Sequence, residues 1–112
     1  MELPVVNHPD YVAKINDDNK FPIKKFGALA EYLLKEGVVR QFHIPEECSI
    51  NTMKLSHSLE YINHIKNKTL DKKLQKKIGF PINDSVSRRS FVATGGTVLA
   101  SKLALDSKLA CN

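Results

Sequence analysis

The sequence predicts an α/β fold in which helices alternate with short strands. Apolar and β-branched residues form short runs at 3–6 and 38–44, and a third run begins at Leu109. Between them, apolar residues recur every three or four positions over 26–39 and again from about 83 to 106. The first pattern is typical of strands and the second of amphipathic helices. Their alternation favours a layered α/β fold over a helix bundle, although two or three strands make an incomplete parallel sheet.

The first half of the chain contains two predicted strands and one predicted helix. The strand at 3–6 ends at a turn formed by His8, Pro9 and Asp10, and the polar residues 14–20 form a loop. A helix over 26–39 ends at Gly37, a residue type that favours the left-handed conformation found after helices. The run at 38–44 ends at Pro45, which interrupts strand pairing.

The second half is predicted to be mainly helical. Ser49 and Ser58 are residue types that cap helices, over 50–55 and over the segment from Leu59 to Ile65. The triplet 79–81, Gly-Phe-Pro, breaks the chain. A long helix then begins between 83 and 85, and its apolar face contains positions three or four apart, namely Val92, Gly96, Leu99 and Leu103.

Length and composition fit one small domain over residues 1–112. Apolar residues make up 42% of the 112 residues and charged residues 26%, which argues against disorder. No apolar run reaches the roughly 18 residues of a membrane span, and the first residues lack the pattern of a signal peptide. A cytoplasmic protein is predicted. Cys48 and Cys111 are expected to be reduced, and because no CxxC pair exists a zinc finger is excluded.

The formal net charge is +5, and much of the basic charge lies in residues 66–77, KNKTLDKKLQKK. Lysine dominates this segment, with no arginine or aromatic residue to read or stack on bases. A solvated helix face or loop is favoured over nucleic-acid binding. An acidic partner remains an alternative.

The pair Gly95-Gly96 suggests two alternative roles. Glycines before a helix form phosphate-binding loops, but this pair lies inside a helical pattern without the lysine of such a loop. Each glycine costs about 1 kcal/mol of helix propensity relative to alanine. We therefore expect a backbone or side chain to pack closely against this helix face.

No set of residues predicts a catalytic or metal site. His57, Glu60 and His64 resemble ligands on a helix, but the two histidines would lie about 10 Å apart along its axis, too far for one zinc ion. His57 is expected to be structural, with its imidazole bonded to nearby backbone. His8 and Asp10 lie in a turn, and His43 lies beside a predicted strand. None of these three residues has a nucleophile or a set of metal ligands near it in the sequence.

Five segments, taken in order, resemble the N-terminal portion of the histone deacetylase superfamily, most closely its bacterial and class IV-like branch. They are VVNHPDYV, FPIKKFGALAEYLLKEGVV, LSHSLEYINHI, IGFPIN and RRSFVATGGTVLASKLAL. The resemblance covers nearly the whole chain.

The resemblance implies part of a three-layer α/β/α sandwich of the arginase/deacetylase type, truncated before most of its parallel sheet. In that family the strand that begins at a position like Leu109 leads into a Gly-Gly-x-His-His stretch. The catalytic residues and the zinc ligands would follow Asn112. This chain is therefore expected to contain no catalytic residue, no metal ligand and no cofactor, with zinc present only in the complete enzyme.

The resemblance also assigns roles to residues that are present. It places Phe21, Pro22, Phe80 and Pro81 in loops at the rim of the substrate channel. Residues in scaffold motifs are expected to be structural: His57, Tyr61, Gly95 and Gly96.

Two functions are expected. The first is an N-terminal fragment of a zinc-dependent deacetylase-like amidohydrolase, inactive alone, whose complete form acts on acetyl-lysine or an acetylpolyamine. The alternative is a non-enzymatic binding or assembly module. It would pair with a separately encoded C-terminal half, or bind an acidic partner through the lysine-rich segment. A membrane partner is not expected, and nucleic acid is disfavoured.

Overall fold

The computed structural model describes residues 2–112, and helices dominate that part of the chain. A 3₁₀ turn at Pro9–Tyr11 precedes five α-helices. These are α1 (Lys25–Lys35), α2 (Ile50–Met53), α3 (Leu59–Asn67), α4 (Lys72–Ile78) and α5 (Asp84–Ser107).

The α/β prediction is wrong for residues 2–112, and so is the three-layer α/β/α sandwich that the resemblance implied. The predicted strands meet only at two isolated parallel bridges, Val5 with Cys111 and Val6 with His43. A sheet requires consecutive paired residues, and Pro4, directly before the first bridge, has no backbone N–H to donate. The β-branched runs do not predict strand pairing, which depends on distant segments, and residues 38 and 40 lie in bends rather than in a strand.

The predicted helix starts are confirmed at three caps. Ser49 accepts a hydrogen bond from the backbone N–H of Thr52 at the start of α2, and Ser58 does the same for Tyr61 at the start of α3. Asn83 caps α5 by accepting from the N–H of Val86 at 2.9 Å. Each side chain satisfies an N–H group that the first turn leaves free.

The predicted role of Gly37 in ending the first helix is confirmed, since Gly37 (φ +70°) comes two residues after α1. The predicted break at 79–81 coincides with the end of α4, which Gly79 (φ +103°) directly follows. The polar segment 14–20 is a loop, as predicted. Two helices are shorter than predicted, because α1 ends at Lys35 and α2 at Met53.

Helix α5 is the longest element and organises the core. Its first half packs against the 3₁₀ turn and α3, and its Val92 side chain is fully buried. The core around it contains apolar residues from the N-terminal loop, α2, α3 and the segments that flank α4: Ala13, Ile23, Cys48, Met53, Ile62, Ile65, Leu70, Ile82, Val86 and Phe91. This packing fixes the loops that carry the predicted rim residues.

None of the helices within residues 2–112 combines the length and the apolar character needed to cross a membrane.

Candidate functional site

The structure brings the two predicted rim loops together. The rings of Phe21 and Phe80 lie 5.9 Å apart, centroid to centroid, and Phe26 at the start of α1 lies 6.0 Å from Phe21. Tilted aromatic pairs at this separation attract each other beyond the effect of burial. We call these three rings the aromatic cluster. Phe80 is far from the other two rings in the sequence.

A side chain of the first loop ties it to the second. The amide of Asn19 donates to the carbonyl oxygen of Gly79 at 3.0 Å. Its oxygen accepts a hydrogen bond from the N–H of Phe21 at 2.9 Å. Asn19 therefore fixes both the conformation of its own loop and the distance to the second one. An open depression lies beside this junction, lined also by Ile78 and Phe80.

The predicted rim prolines are both exposed but have different surroundings. The carbonyl oxygen of Pro22 accepts from the N–H of Lys25 at 3.0 Å, which starts α1. Pro81 follows Phe80 and precedes the cap of α5. Neither proline belongs to the aromatic cluster.

Two cations lie over the aromatic cluster. The guanidinium of Arg89 lies 5.6 Å from the ring of Phe21 and 5.1 Å from that of Phe26. The Lys25 ammonium is 5.6 and 5.2 Å from the same rings. Attraction between a cation and a ring face contributes about 0.5–1 kcal/mol at exposed sites and more when water is excluded.

Arg89 also connects α5 to the 3₁₀ turn. Its Nε–H donates to the carbonyl oxygen of Tyr11 at 2.7 Å. Burial lowers the pKa of Arg89, an effect partly opposed by the nearby Tyr11 hydroxyl. Within residues 2–112 no carboxylate lies within ion-pair distance of Arg89, so the rings and the carbonyl are the groups that offset its desolvation. The sequence analysis missed this residue, and its only signal was an arginine beside the apolar face of α5.

A groove of about 260 Å³ lies between α3 and α5. His57 and Tyr61 line it, with their rings 5.7 Å apart. The imidazole of His57 contacts this ring rather than a backbone group, which differs from the hydrogen bond that the sequence analysis expected. Met53 and Arg89 also line the groove.

Gly95 and Gly96 lie where other segments cross α5. A Cβ atom on Gly95 would overlap the carbonyl oxygen of Glu46, and one on Gly96 would overlap the Tyr11 hydroxyl and the Asn112 amide. The two glycines therefore allow a loop and a side-chain hydrogen bond to lie directly on the helix. Their own amides are inside α5, so they form no phosphate-binding loop.

The pair His8 and Asp10 belongs to a turn and an ion network. The Nδ1 atom of His8 accepts from the N–H of Asp10 at 2.9 Å, which caps the 3₁₀ turn. The Asp10 carboxylate pairs with Arg88 at 3.0 Å, and Arg88 also pairs with Glu47. Both carboxylates raise the pKa of Arg88. Nδ1 of His8 also lies 3.8 Å from the Asp10 carboxylate, but it already accepts the N–H of Asp10. These contacts join three segments of the chain.

The described residues do not form a zinc site. Nδ1 of His64 is 2.8 Å from the Thr69 hydroxyl, and its Nε2 is 3.8 Å from Glu60. His43 takes part in a backbone bridge. Across 2–112, no three histidine, cysteine, aspartate or glutamate side chains converge in a way that could hold a metal.

Both cysteines are free. Cys48 is buried and Cys111 is exposed. Burial raises the pKa of the Cys48 thiol, so this side chain behaves as a packing residue rather than as a reactive thiolate.

Comparison with known proteins identifies a longer relative. No family model matches the chain. The chain is 40% identical, over 114 aligned residues, to an uncharacterized protein of Picosynechococcus sp. strain PCC 7002. The alignment covers 100% of this chain and 38% of that relative, so the chain spans well under half of the relative's length.

The relative's name assigns no activity, so the comparison does not support the deacetylase and α/β assignments drawn from the resemblance. Because residues 2–112 form a helical structure without a sheet, the α/β assignment is also in conflict with the fold.

Proposed function

We propose that this chain is a non-catalytic N-terminal scaffold that packs against the remaining part of a longer protein. The main observation that supports this proposal is the exposure of large apolar side chains near the C-terminal end of the chain. Leu105 at the end of α5 is 85% exposed and Leu109 is 70% exposed. Burial of such surface contributes about 25 cal/mol per Å². The longer Picosynechococcus relative supports a partner encoded in the same chain.

We further propose that the longer protein is a zinc-dependent amidohydrolase acting on acetyl-lysine or an acetylpolyamine. The support is the order of the five segments that resemble histone deacetylases. In that case the zinc ligands and the catalytic groups belong to the remaining part, since the donors in residues 2–112 do not fit a metal. The contribution of this chain is the position of the aromatic cluster at the substrate rim. We place the protein in the cytoplasm.

The amidohydrolase proposal is tested by acetate release from an acetyl-lysine peptide. The complete Picosynechococcus protein, purified with stoichiometric zinc, is expected to release acetate, and a chelator is expected to abolish the reaction. This chain alone is expected to be inactive with or without zinc. A zinc-loaded, folded relative that leaves acetyl-lysine and acetylpolyamine intact would refute the proposed reaction.

The alternative is a separately encoded assembly module, and the same apolar surface supports it. In that case a second polypeptide, rather than a continuation of this chain, covers Leu105 and Leu109. Mixing this chain with the relative's remaining part tests whether the chain can assemble with a separate polypeptide. Restored activity supports a scaffold that can act in trans. The relative's own matching segment serves as the positive control.

A further inference from the structure

The whole net charge of the protein lies in residues 66–77. This segment contains six lysines and one aspartate, a formal charge of +5. The other residues hold eleven basic and eleven acidic side chains and are therefore neutral as a group. Such an uneven distribution is a property of the surface rather than of the fold, and it creates a local positive potential.

The structure presents these lysines on one continuous stretch from the end of α3 through α4. We call the six side chains the lysine face: Lys66, Lys68, Lys72, Lys73, Lys76 and Lys77. All six residues are exposed. Lys68 pairs with Asp84 at 2.9 Å. The four lysines of α4 have no carboxylate within ion-pair distance anywhere in residues 2–112.

The arrangement of charge on α4 is unfavourable for the helix itself. Lys72 and Lys76 are four residues apart, as are Lys73 and Lys77, so each pair places like charges on neighbouring turns. Lys72 and Lys73 also occupy the first turn, where the helix dipole favours negative charge. The Asp71 cap opposes the effect in the first turn, whereas Lys76 and Lys77 in the last turn carry the charge that the dipole favours there. An external anion would relieve both effects.

Two aliphatic side chains lie beside the lysines, along the edge of α4 next to Lys77, and indicate the kind of partner. Leu74 and Ile78 are four residues apart on α4 and are 45% and 40% exposed. Residues 66–77 contain no arginine and no aromatic side chain. Binding to nucleic acid usually relies on those residue types, for base contacts and stacking. A surface of ammonium groups bordered on one side by an aliphatic pair is complementary to a peptide that carries both carboxylates and apolar side chains.

We propose that the lysine face binds an acidic segment of a polypeptide that also presents apolar side chains. Carboxylates of the partner neutralise the lysines of α4, and its apolar residues cover Leu74 and Ile78. Long-range attraction accelerates the encounter, and the aliphatic contact favours a peptide over other polyanions. The inference is independent of the proposed function, because it rests on the charge of α4 and not on the exposed end of α5.

The test measures fluorescence anisotropy with a labelled peptide of alternating glutamate and leucine. Wild-type protein is expected to bind the peptide, and added salt is expected to weaken binding because the Debye length falls from about 10 Å at 0.1 M to about 3 Å at 1 M. The variant carrying Lys72→Gln, Lys73→Gln, Lys76→Gln and Lys77→Gln is expected to lose affinity by at least about tenfold. Its thermal stability is expected to be equal to or above that of the wild type.

The matched control removes the same charge elsewhere, with glutamine at four other exposed lysines: Lys14, Lys35, Lys54 and Lys102. It is expected to bind nearly as well as the wild type. Leu74→Gln is expected to weaken binding without altering its salt dependence. Equal losses in the control and the α4 variant would overturn the proposal, as would an absence of binding by the folded wild type. Stronger binding to single-stranded RNA or to anionic phospholipid vesicles than to the peptide would overturn the choice of partner.

Discussion

The two halves of α5 both carry apolar side chains but have different surroundings. The first half contains every buried residue of the helix, including Phe91 and Val92. The second half, from Thr97 onward, contains no buried residue, and its Leu105 is 85% exposed. An apolar helix surface is stabilising only where another element covers it. The difference shows that the first half belongs to the core of residues 2–112, whereas the second half is suited to a surface outside it.

Helices α1 and α5 also differ in how much of their apolar surface is buried. Helix α1 has a clear apolar face in the sequence but no buried residue in the structure. Its Leu29 and Tyr32 are more than half exposed. The molecule therefore has one well-packed centre, near the 3₁₀ turn, and at least two apolar surfaces without a partner in residues 2–112.

The comparison within α5 is tested most strongly by truncating one side chain in each half. Phe91→Ala removes a buried ring from the core and is expected to lower the free energy of unfolding by about 3–5 kcal/mol. Leu105→Ala is expected to change it by no more than about 0.5 kcal/mol, because the side chain is already exposed. Urea denaturation followed by circular dichroism measures both. Comparable losses in the two variants would mean that the second half is packed after all.

A second test concerns the crossing point between the two halves. Gly95→Ala is expected to destabilise the protein by about 1–3 kcal/mol, because the added methyl group overlaps the Glu46 carbonyl. Gly27→Ala is the control, since its methyl group would lie 3.3 Å from a Cγ atom of Val12 and would overlap no backbone atom. Little or no destabilisation is expected there. A stable Gly95→Ala variant would show that the loop does not rest on the helix.

The first turn of α5 is stabilised by the side chain of its N-cap residue, Asn83. Asn83→Ala is expected to cost about 1–2 kcal/mol, because the side chain accepts from the N–H of Val86 and donates to the carbonyl of Lys14. Ser49→Ala at the start of the short helix α2 is expected to cost less. Thermal unfolding of the two variants gives the comparison, and an Asn83→Ala melting curve that matches the wild type would contradict it.

A substitution at the end of the exposed half of α5 is expected to stabilise the protein rather than destabilise it. Lys108 adopts a left-handed conformation (φ +71°) directly after α5. Lys108→Gly removes the steric cost of that conformation and is expected to stabilise the protein by up to about 1 kcal/mol. The gain is expected only if the helix ends there in solution. A lower melting temperature for this variant would indicate that the helix end differs from the structure.

The smallest expected effect is a loss of stability at alkaline pH. Burial raises the pKa of Tyr11 above its ordinary value of 10.0, with Arg89 and the hydrogen bond to Asn112 partly opposing the shift. The folded protein therefore holds this proton more tightly than the unfolded chain. The resulting stabilisation is complete below about pH 10 and is lost as the pH rises through the folded pKa.

Tyr11→Phe tests this expectation. The variant loses the hydrogen bond to Asn112 and is less stable at neutral pH, but its stability is expected to fall less steeply above about pH 10. The buried Cys48 thiol shifts in the same direction and remains in both proteins, so the difference between them reports Tyr11. Identical pH profiles would remove Tyr11 as the cause.

Local features of the fold were predictable from the sequence, and distant pairings were not. Ser49 and Ser58 act on residues within three positions, so their capping roles are visible in the sequence, whereas for α5 the sequence indicated only a start between 83 and 85. The strands were overpredicted because an apolar β-branched run does not show whether a partner lies alongside. The close approach at Gly95 and Gly96 was expected from the cost of glycine in a helix, but the crossing segments could not be named.

For the candidate site, too, the sequence did not indicate contacts between distant residues. Phe21 and Phe80 were assigned to rim loops by resemblance, and the structure shows that their rings are in contact. Arg89 and Asn19 were missed, because their partners lie far away in the sequence. No local spacing indicates such contacts. The lysine-rich segment was recognised, but the unfavourable placement of its charges became evident only once α4 was defined.

The central claim is that the end of α5 packs against the remaining part of a longer protein. Sedimentation analysis of this chain mixed with the remaining part of the Picosynechococcus relative tests it most directly. The account predicts a one-to-one complex that Leu105→Glu abolishes, while that variant keeps the circular dichroism and melting temperature of the isolated wild-type chain. A folded remaining part that forms no complex, or a Leu105→Glu variant that unfolds alone, would contradict the account.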